Sequence, residues 1–339
     1  MLEVDGSAGG GQLVRTAVTL SMVTGEAVEI ADVRGDRPTP GLKAQHRAVV
    51  ETAADVCDAD VSGVETGSDT VTFDPGRPTG GRYEADIGTA GSVTLLFDTF
   101  LPLAARLDEP LTLTATGGTD VKWSPPLSYY RQVKLPLLRR FGLAAAVESR
   151  RTGFYPAGGG RATLRLWPSS LSPVELSAPS AVTGARVYST AATDLADSNV
   201  AERQADAAVD GLANLGVEVV ERRVSYVDSA SPGSVVVVRV DCAETVAGFD
   251  AFGAPEKRAE ALGNEAVEGV RPFVRDDAAV DEYAADQLLV FLALVGGSVR
   301  IPRVTDHVSA SLGLLETFDR GLTLDESASA PLVGADRSD

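Results

Sequence analysis

The chain has 339 residues, 44% of them apolar, a length beyond one typical core that predicts two domains with about three quarters of the unfolded surface buried. Its formal net charge of −18 argues against nonspecific duplex DNA binding, which requires a basic face to neutralise phosphates. Only four of the 30 basic residues are lysines (Lys43, Lys122, Lys134 and Lys257), so the surface reads as one suited to a high-salt cytoplasm, and any basic pocket must draw on arginine.

In chain order, residues 2–5 read as a short strand, 6–11 as a glycine loop and 12–23 as a helix that Gly25 ends. A strand at 27–34 and the loop GDRPTPG at 35–41 lead into a helix at 42–57, and strands at 70–73 and 82–87 flank a Pro/Gly-rich turn. The order helix, strand, loop, helix, strand, strand then recurs. A helix at 92–106, a strand at 111–116, the loop GGTDVKWSPP and a helix at 127–141 precede strands at 144–148 and 161–166, and Pro136 should kink its helix. The same order begins a third time at Asp281, with a helix at 283–295, a strand at 298–304 and a helix at 307–318. Three comparable units imply a repeated α/β architecture. Residues of about 182–277 break the period and read as an inserted α/β domain, leaving 1–181 and 278–339 as the core.

Cys57 and Cys242 fit no metal-ligand spacing and read as reduced core thiols. The first residues lack the pattern of a signal peptide and no apolar run reaches membrane-spanning length, so a cytoplasmic location without membrane attachment is expected.

The stretch DEYAADQLLVFLALVGGSVRIPRVTDHVSAS carries the chemistry. Its helix is apolar on nearly every face except at Asp286 and Gln287, which need partners or a ligand. Thr305 and Asp306 read as an N-cap pair, which places His307 at a helix start. There the helix dipole lowers an imidazole's pKa and free N–H groups attract anions, so His307 is a plausible nucleophile at a phosphate site. His46, the other histidine, reads as a packed or surface residue. AGGGQ at 8–12 could cradle phosphate but matches neither the Walker A pattern nor the dinucleotide fingerprint; AGGG at 157–160 reads as tight turns. Arg15, Arg34 and Arg37, with Gln45, cluster around the loops of the first unit, where guanidinium forks suit a phosphate clamp.

Taken together, DGSAGGGQLVR, RGDRPTPGLKAQH, GTAGSVTLL, ATGGTD, GFYPAGGG, EYAADQLL and the late histidine resemble the RNA 3′-terminal phosphate cyclase family. The resemblance implies three βαβαββ-type repeats with a smaller inserted α/β domain. It implies ATP as substrate, a divalent metal, Mg²⁺ or Mn²⁺, and RNA 3′ ends bearing a phosphate, converted to 2′,3′-cyclic phosphates through a histidinyl-AMP and an adenylylated RNA. His307 matches the nucleophile, Tyr283, Ala284, Ala285, Asp286 and Gln287 match the ATP-binding segment, and Arg15, Arg34, Arg37 and Gln45 match polar first-unit loops facing phosphates. The sequence departs from the family pattern where Ala8 replaces a glutamate, where Ala310 and Ser311 replace a threonine and an asparagine, and where Asp98 stands in place of a glutamine. A noncatalytic RNA-processing scaffold of the same superfamily is the alternative, against which the presence of His307 counts. An enolpyruvyl transferase, also related in fold, would need a denser set of lysines and arginines around two anionic substrates.

Overall fold

A computed structural model describes residues 1–8 and 10–335; of the first glycine loop, Gly9 lies outside the described residues. Three four-stranded sheets share one topology. In the first, Leu2–Asp5, Val28–Ala31, Val71–Asp74 and Asp60–Ser62 lie side by side, the first pair parallel and the other two antiparallel. Gly81–Asp86, Leu111–Gly117, Gly160–Leu166 and Ala145–Arg151 repeat that arrangement. So do Val174–Leu176, Gly297–Arg300, Leu332–Ala335 and Thr323–Asp325. The period-2 pattern LTLTATG shows why such strands form: Leu111, Leu113 and Ala115 are fully buried while the intervening threonines stay half-buried.

The fold class is therefore α/β with three βαβαββ repeats and an α/β insert, as expected, but each repeat opens on a strand rather than on a helix. The strand read at 82–87 does not close the first unit; it pairs in parallel with Leu111–Gly117 and opens the second. Backbone chemistry makes the turn at 75–80 a linker instead of a hairpin. Both the N–H and the hydroxyl of Thr79 bond the Val56 carbonyl at the end of a first-unit helix, and Gly81 N–H bonds Pro110 O in the second sheet. The opening strand of the third unit, Val174–Leu176, has three residues and no usable period, and the chain leaves after it to build the insert.

In the insert, Val182–Ala192 lies between the parallel strand Val219–Val227 and the antiparallel strand Ser234–Cys242, with Val246–Phe252, a strand missed in the sequence, at the edge. Helices Val200–Asn214 and Ala259–Phe273 cover one face, where Val187, Val236, Val238, Ala205 and Leu262 form a separate apolar cluster. The opposite face contributes Tyr188, Val235, Val237 and Val246 to the main core. The run of valines at 235–238 thus serves two cores because successive side chains point to opposite faces.

The helix that carries Pro136, where a kink was expected, changes type along its length. The segment 127–139 passes through a π turn at Tyr130–Lys134, and the Gln132 carbonyl, whose helical donor Pro136 lacks, accepts from the Arg239 guanidinium of the insert at 2.6 Å. Cys57 and Cys242 are buried free thiols. Among the described residues no helix is long and apolar enough to cross a membrane.

Candidate active site

Three helix N-termini meet at one cleft of about 960 Å³. Gly10–Thr24 brings Gly10, Gly11, Gln12 and Arg15; Ala44–Cys57 brings Gln45 and His46; Asp306–Thr317 brings His307. The Thr305 hydroxyl accepts from Val308 N–H at 3.2 Å, so the N-cap is as expected and His307 stands in the first turn. The cleft gathers Arg34, Arg37, Tyr283, Asp286 and Gln287 as well. Ala284 and Ala285 do not line it: both are buried in the helix Glu282–Gln287, whose cap Asp281 accepts from Ala284 N–H at 2.9 Å.

The arginines are not equivalent. Arg34 adopts a left-handed backbone, φ 57°, and spends its guanidinium on Thr39 O at 2.8 Å and Gly41 O at 3.1 Å, which shapes the 35–41 loop. Arg15 and Arg37 have no hydrogen bond or ion pair from their side chains to any described residue. Burial lowers the pKa of Arg15, while the charges of Asp98 and Asp286 raise it. A guanidinium held in a cleft without a bidentate partner is a ready anion site. Gln45 accepts from Ser92 N–H at 3.1 Å and donates to Ser92 O at 3.4 Å, so its amide fastens the first unit to the start of the second-unit helix Val93–Phe100.

Partial burial and the nearby Arg15 and Arg37 lower the pKa of His307, which favours the neutral imidazole. Asp286 is pushed up to about 7 by burial, against the opposing pull of Lys134 and Arg15. Its Oδ2 accepts from the Gln12 amide at 3.2 Å, and its Oδ1 is buried without a hydrogen-bond partner. The same Gln12 amide donates to Ser311 Oγ at 3.0 Å, so the serine that departs from the family pattern is tied into the site.

Sequence reasoning missed Lys134. Its ammonium donates to Asp98 Oδ1 at 2.5 Å and to Gln287 Oε1 at 2.7 Å at the floor of the cleft. The available signals were the scarcity of lysine and the unusual aspartate at 98; neither reveals a partner 36 residues away. His46 is packed, as read from the sequence, and it also lines the cleft: burial and Arg15 push its pKa down to about 3, and its Nδ1 accepts from Lys43 N–H at 3.4 Å.

Gly11 packs against His46 so closely that an added Cβ would lie 2.0 Å from Nε2. Gly11→Ala should therefore cost about 1–3 kcal/mol through overpacking, and adding His46→Ala should recover much of it by vacating the space. Thermal midpoints of the two variants test this; an unshifted Gly11→Ala would show that the helix start is soft.

The repeated βαβαββ fold and a cleft of helix N-termini, free guanidiniums and a neutral-leaning histidine define an α/β protein built to handle phosphate groups. The family model for RNA 3′-terminal phosphate cyclase matches residues 7–320. Proteins named RNA 3′-terminal phosphate cyclase are similar throughout: one from Halobacterium salinarum is 43% identical over 97% of this chain and 98% of its own. Others from Archaeoglobus fulgidus and Pyrococcus furiosus are 39% and 38% identical, over 94% of this chain and 95% and 93% of theirs. The chain belongs to the RNA 3′-terminal phosphate cyclase family.

Proposed function

We propose that this protein uses ATP to convert an RNA 3′-terminal phosphate into a 2′,3′-cyclic phosphodiester, with His307 as covalent nucleophile. The observation that carries this reading is a solvent-accessible, neutral-leaning imidazole at a helix N-terminus in the same cleft as two guanidiniums without partners. In the first step an imidazole nitrogen forms a bond to the α-phosphorus of ATP as the bond to the bridging oxygen breaks and pyrophosphate leaves. A terminal RNA phosphate oxygen then attacks the same phosphorus, the N–P bond breaks and the RNA carries AMP. Finally the vicinal 2′-hydroxyl attacks the terminal phosphorus, loses its proton and expels AMP. Adenylylation matters because an unactivated phosphate has no good leaving group.

In this reading Arg15 and Arg37 bind the phosphates, Arg34 holds the loop beside them, and Tyr283 offers its ring to adenine. Gln45 contributes by fixing the wall, and Ala284 and Ala285 by packing the helix that aims Asp286 and Gln287. Among the described residues no group of three His, Cys, Asp or Glu side chains could hold a metal by itself. Mg²⁺ is commonly held by one or two carboxylates plus substrate phosphates, so Asp286, with its unpartnered Oδ1, fits as the protein ligand of a divalent ion arriving with the triphosphate. Such an ion would neutralise charge developing on the phosphates. Residues 1–181 with 278–339 form the catalytic body in this proposal and 182–277 the inserted domain, a division supported by the separate apolar cluster of the insert. A cytoplasmic setting fits the free thiols.

The test is incubation in high salt, with Mg²⁺ or Mn²⁺, with ATP labelled at the α-phosphate. An acid-labile, base-stable protein adenylate is expected, together with conversion of a 3′-phosphorylated oligoribonucleotide to a phosphatase-resistant end. Absence of label under both metals, from folded protein that still binds RNA, would favour the scaffold.

A further inference from the structure

Trp123 is 92% exposed, although Trp is among the most costly side chains to leave in water and the chain has only two. It also holds a left-handed backbone, φ 63°, which is strained for a residue with a Cβ. The loop around it is held by burial and hydrogen bonds on both sides. Val121, Ser124 and Leu127 are buried, Ser124 Oγ donates to Val121 O at 2.9 Å, and Pro125 O accepts from the buried Thr94 hydroxyl at 2.7 Å. Thr119 N–H bonds Gly153 O at 3.0 Å, and Gly153 N–H returns to the Thr119 hydroxyl at 3.0 Å, so the glycine-rich loop at 153–160 braces it from behind. The fold thus fixes a two-residue turn that displays Lys122 and Trp123 outward. Trp123 lines the same cleft as His307, and Lys122, the exposed residue before it in the chain, has no side-chain partner among the described residues.

We propose that Lys122 and Trp123 form a stacking platform for the nucleobase at the 3′ end of the RNA. The inference rests on the cyclase reading and adds to it where the substrate's base lies. An aromatic face beside a free cation is the arrangement that recognises unpaired nucleotides. Charge favours a polyanion over a protein partner, because the same cleft holds Arg15 and Arg37 while the rest of the surface is strongly acidic. Position favours RNA over ATP: Tyr283 is the half-buried ring inside the cleft, whereas Trp123 stands almost wholly outside, where the base of a strand entering phosphate-first would remain. Stacking also keeps its strength in concentrated salt, where phosphate contacts are screened.

The reporter is Trp167→Phe, which leaves Trp123 as the sole tryptophan. In molar KCl, a 3′-phosphorylated oligoribonucleotide is expected to quench its emission, ATP alone to leave it unmoved, and an oligonucleotide with an abasic 3′-terminal nucleotide to bind about tenfold more weakly without quenching. In otherwise unmodified protein, Trp123→Ala should raise the KM for RNA about tenfold with a much smaller change in kcat, and Trp123→Phe should recover most of the loss. Full quenching by ATP alone would assign the ring to adenine, and equal binding of the abasic strand would reduce the site to a charge contact; either overturns the platform. Cyclic phosphate formation is measured alongside. Cyclisation without any Trp123 response overturns the platform and leaves the cyclase reading intact, whereas absence of both cyclisation and RNA binding overturns the two together.

Discussion

His307→Ala is expected to abolish covalent labelling by ATP and to reduce cyclic phosphate formation by roughly 10⁴-fold or more, the scale at which removal of a covalent nucleophile is felt. The loss should be chemical rather than structural. His307 is exposed at the cleft surface and its imidazole makes no hydrogen bond to another described residue, so the folded state loses little by its truncation. Neighbouring Val308 remains fully buried and the Thr305 cap remains in place, which preserves the helix start. ATP affinity should change by much less than the rate, because Arg15 and Arg37 are untouched. Labelling with α-phosphate-labelled ATP and a thermal melt on the same preparation separate the possibilities. Unchanged cyclisation in a variant that melts like the parent would remove His307 from the mechanism.

The parts of this site that the sequence made legible are those set by local chemistry. The Thr305 cap, the placement of His307 after it and the polar pair Asp286–Gln287 in an apolar helix follow from residue types within one or two turns. The arginines of the first-unit loops were found because cations are conspicuous in an acidic chain. Two kinds of feature stayed hidden. Pairings made across the fold leave no local trace: Lys134 with Asp98, Gln12 with Ser311, and Gln45 with Ser92 join different repeats or widely separated elements. Strand phase was also hidden, because a three-residue strand such as Val174–Leu176 or Asp60–Ser62 has too few positions to show an alternation. Gly248 illustrates a further loss. A Cβ there would meet the Tyr129 ring at 2.6 Å, so its strand gives up a side chain to let the core approach, and the period-2 alternation is interrupted there.

Lys134→Met should be the most destabilising single change in the cleft. The lysine side chain is 6% exposed and its partner Asp98 14% exposed, so removing the ammonium leaves a nearly buried carboxylate without its counter-charge, a cost of about 3–5 kcal/mol. For a chain of this size that corresponds to a fall in thermal midpoint on the order of 10 °C. Adding Asp98→Asn should restore much of the loss, since the remaining amide needs no counter-charge and methionine fills the stem's volume. The pH dependence carries an independent signature through Asp286. Its carboxyl, pushed up to about 7 by burial, is held down from a still higher value in part by Lys134. A folded-state pKa above the unfolded value means the native state binds the extra proton, so this group makes stability decline as pH rises from about 4 towards 7. Without Lys134 the carboxyl titrates higher still and the decline extends to higher pH, so the gap between Lys134→Met and its parent should widen as pH rises through neutrality. Asp286→Asn should flatten that part of the profile. Melts of the two single variants and the double variant at acidic and neutral pH decide the matter; a Lys134→Met midpoint within a degree or two of the parent at neutral pH would show that the pair stabilises nothing. The double variant, even with its stability restored, should still cyclise RNA poorly. Gln287 will have lost the 2.7 Å bond that orients its amide, and the triphosphate will have lost a cation from the floor of the cleft.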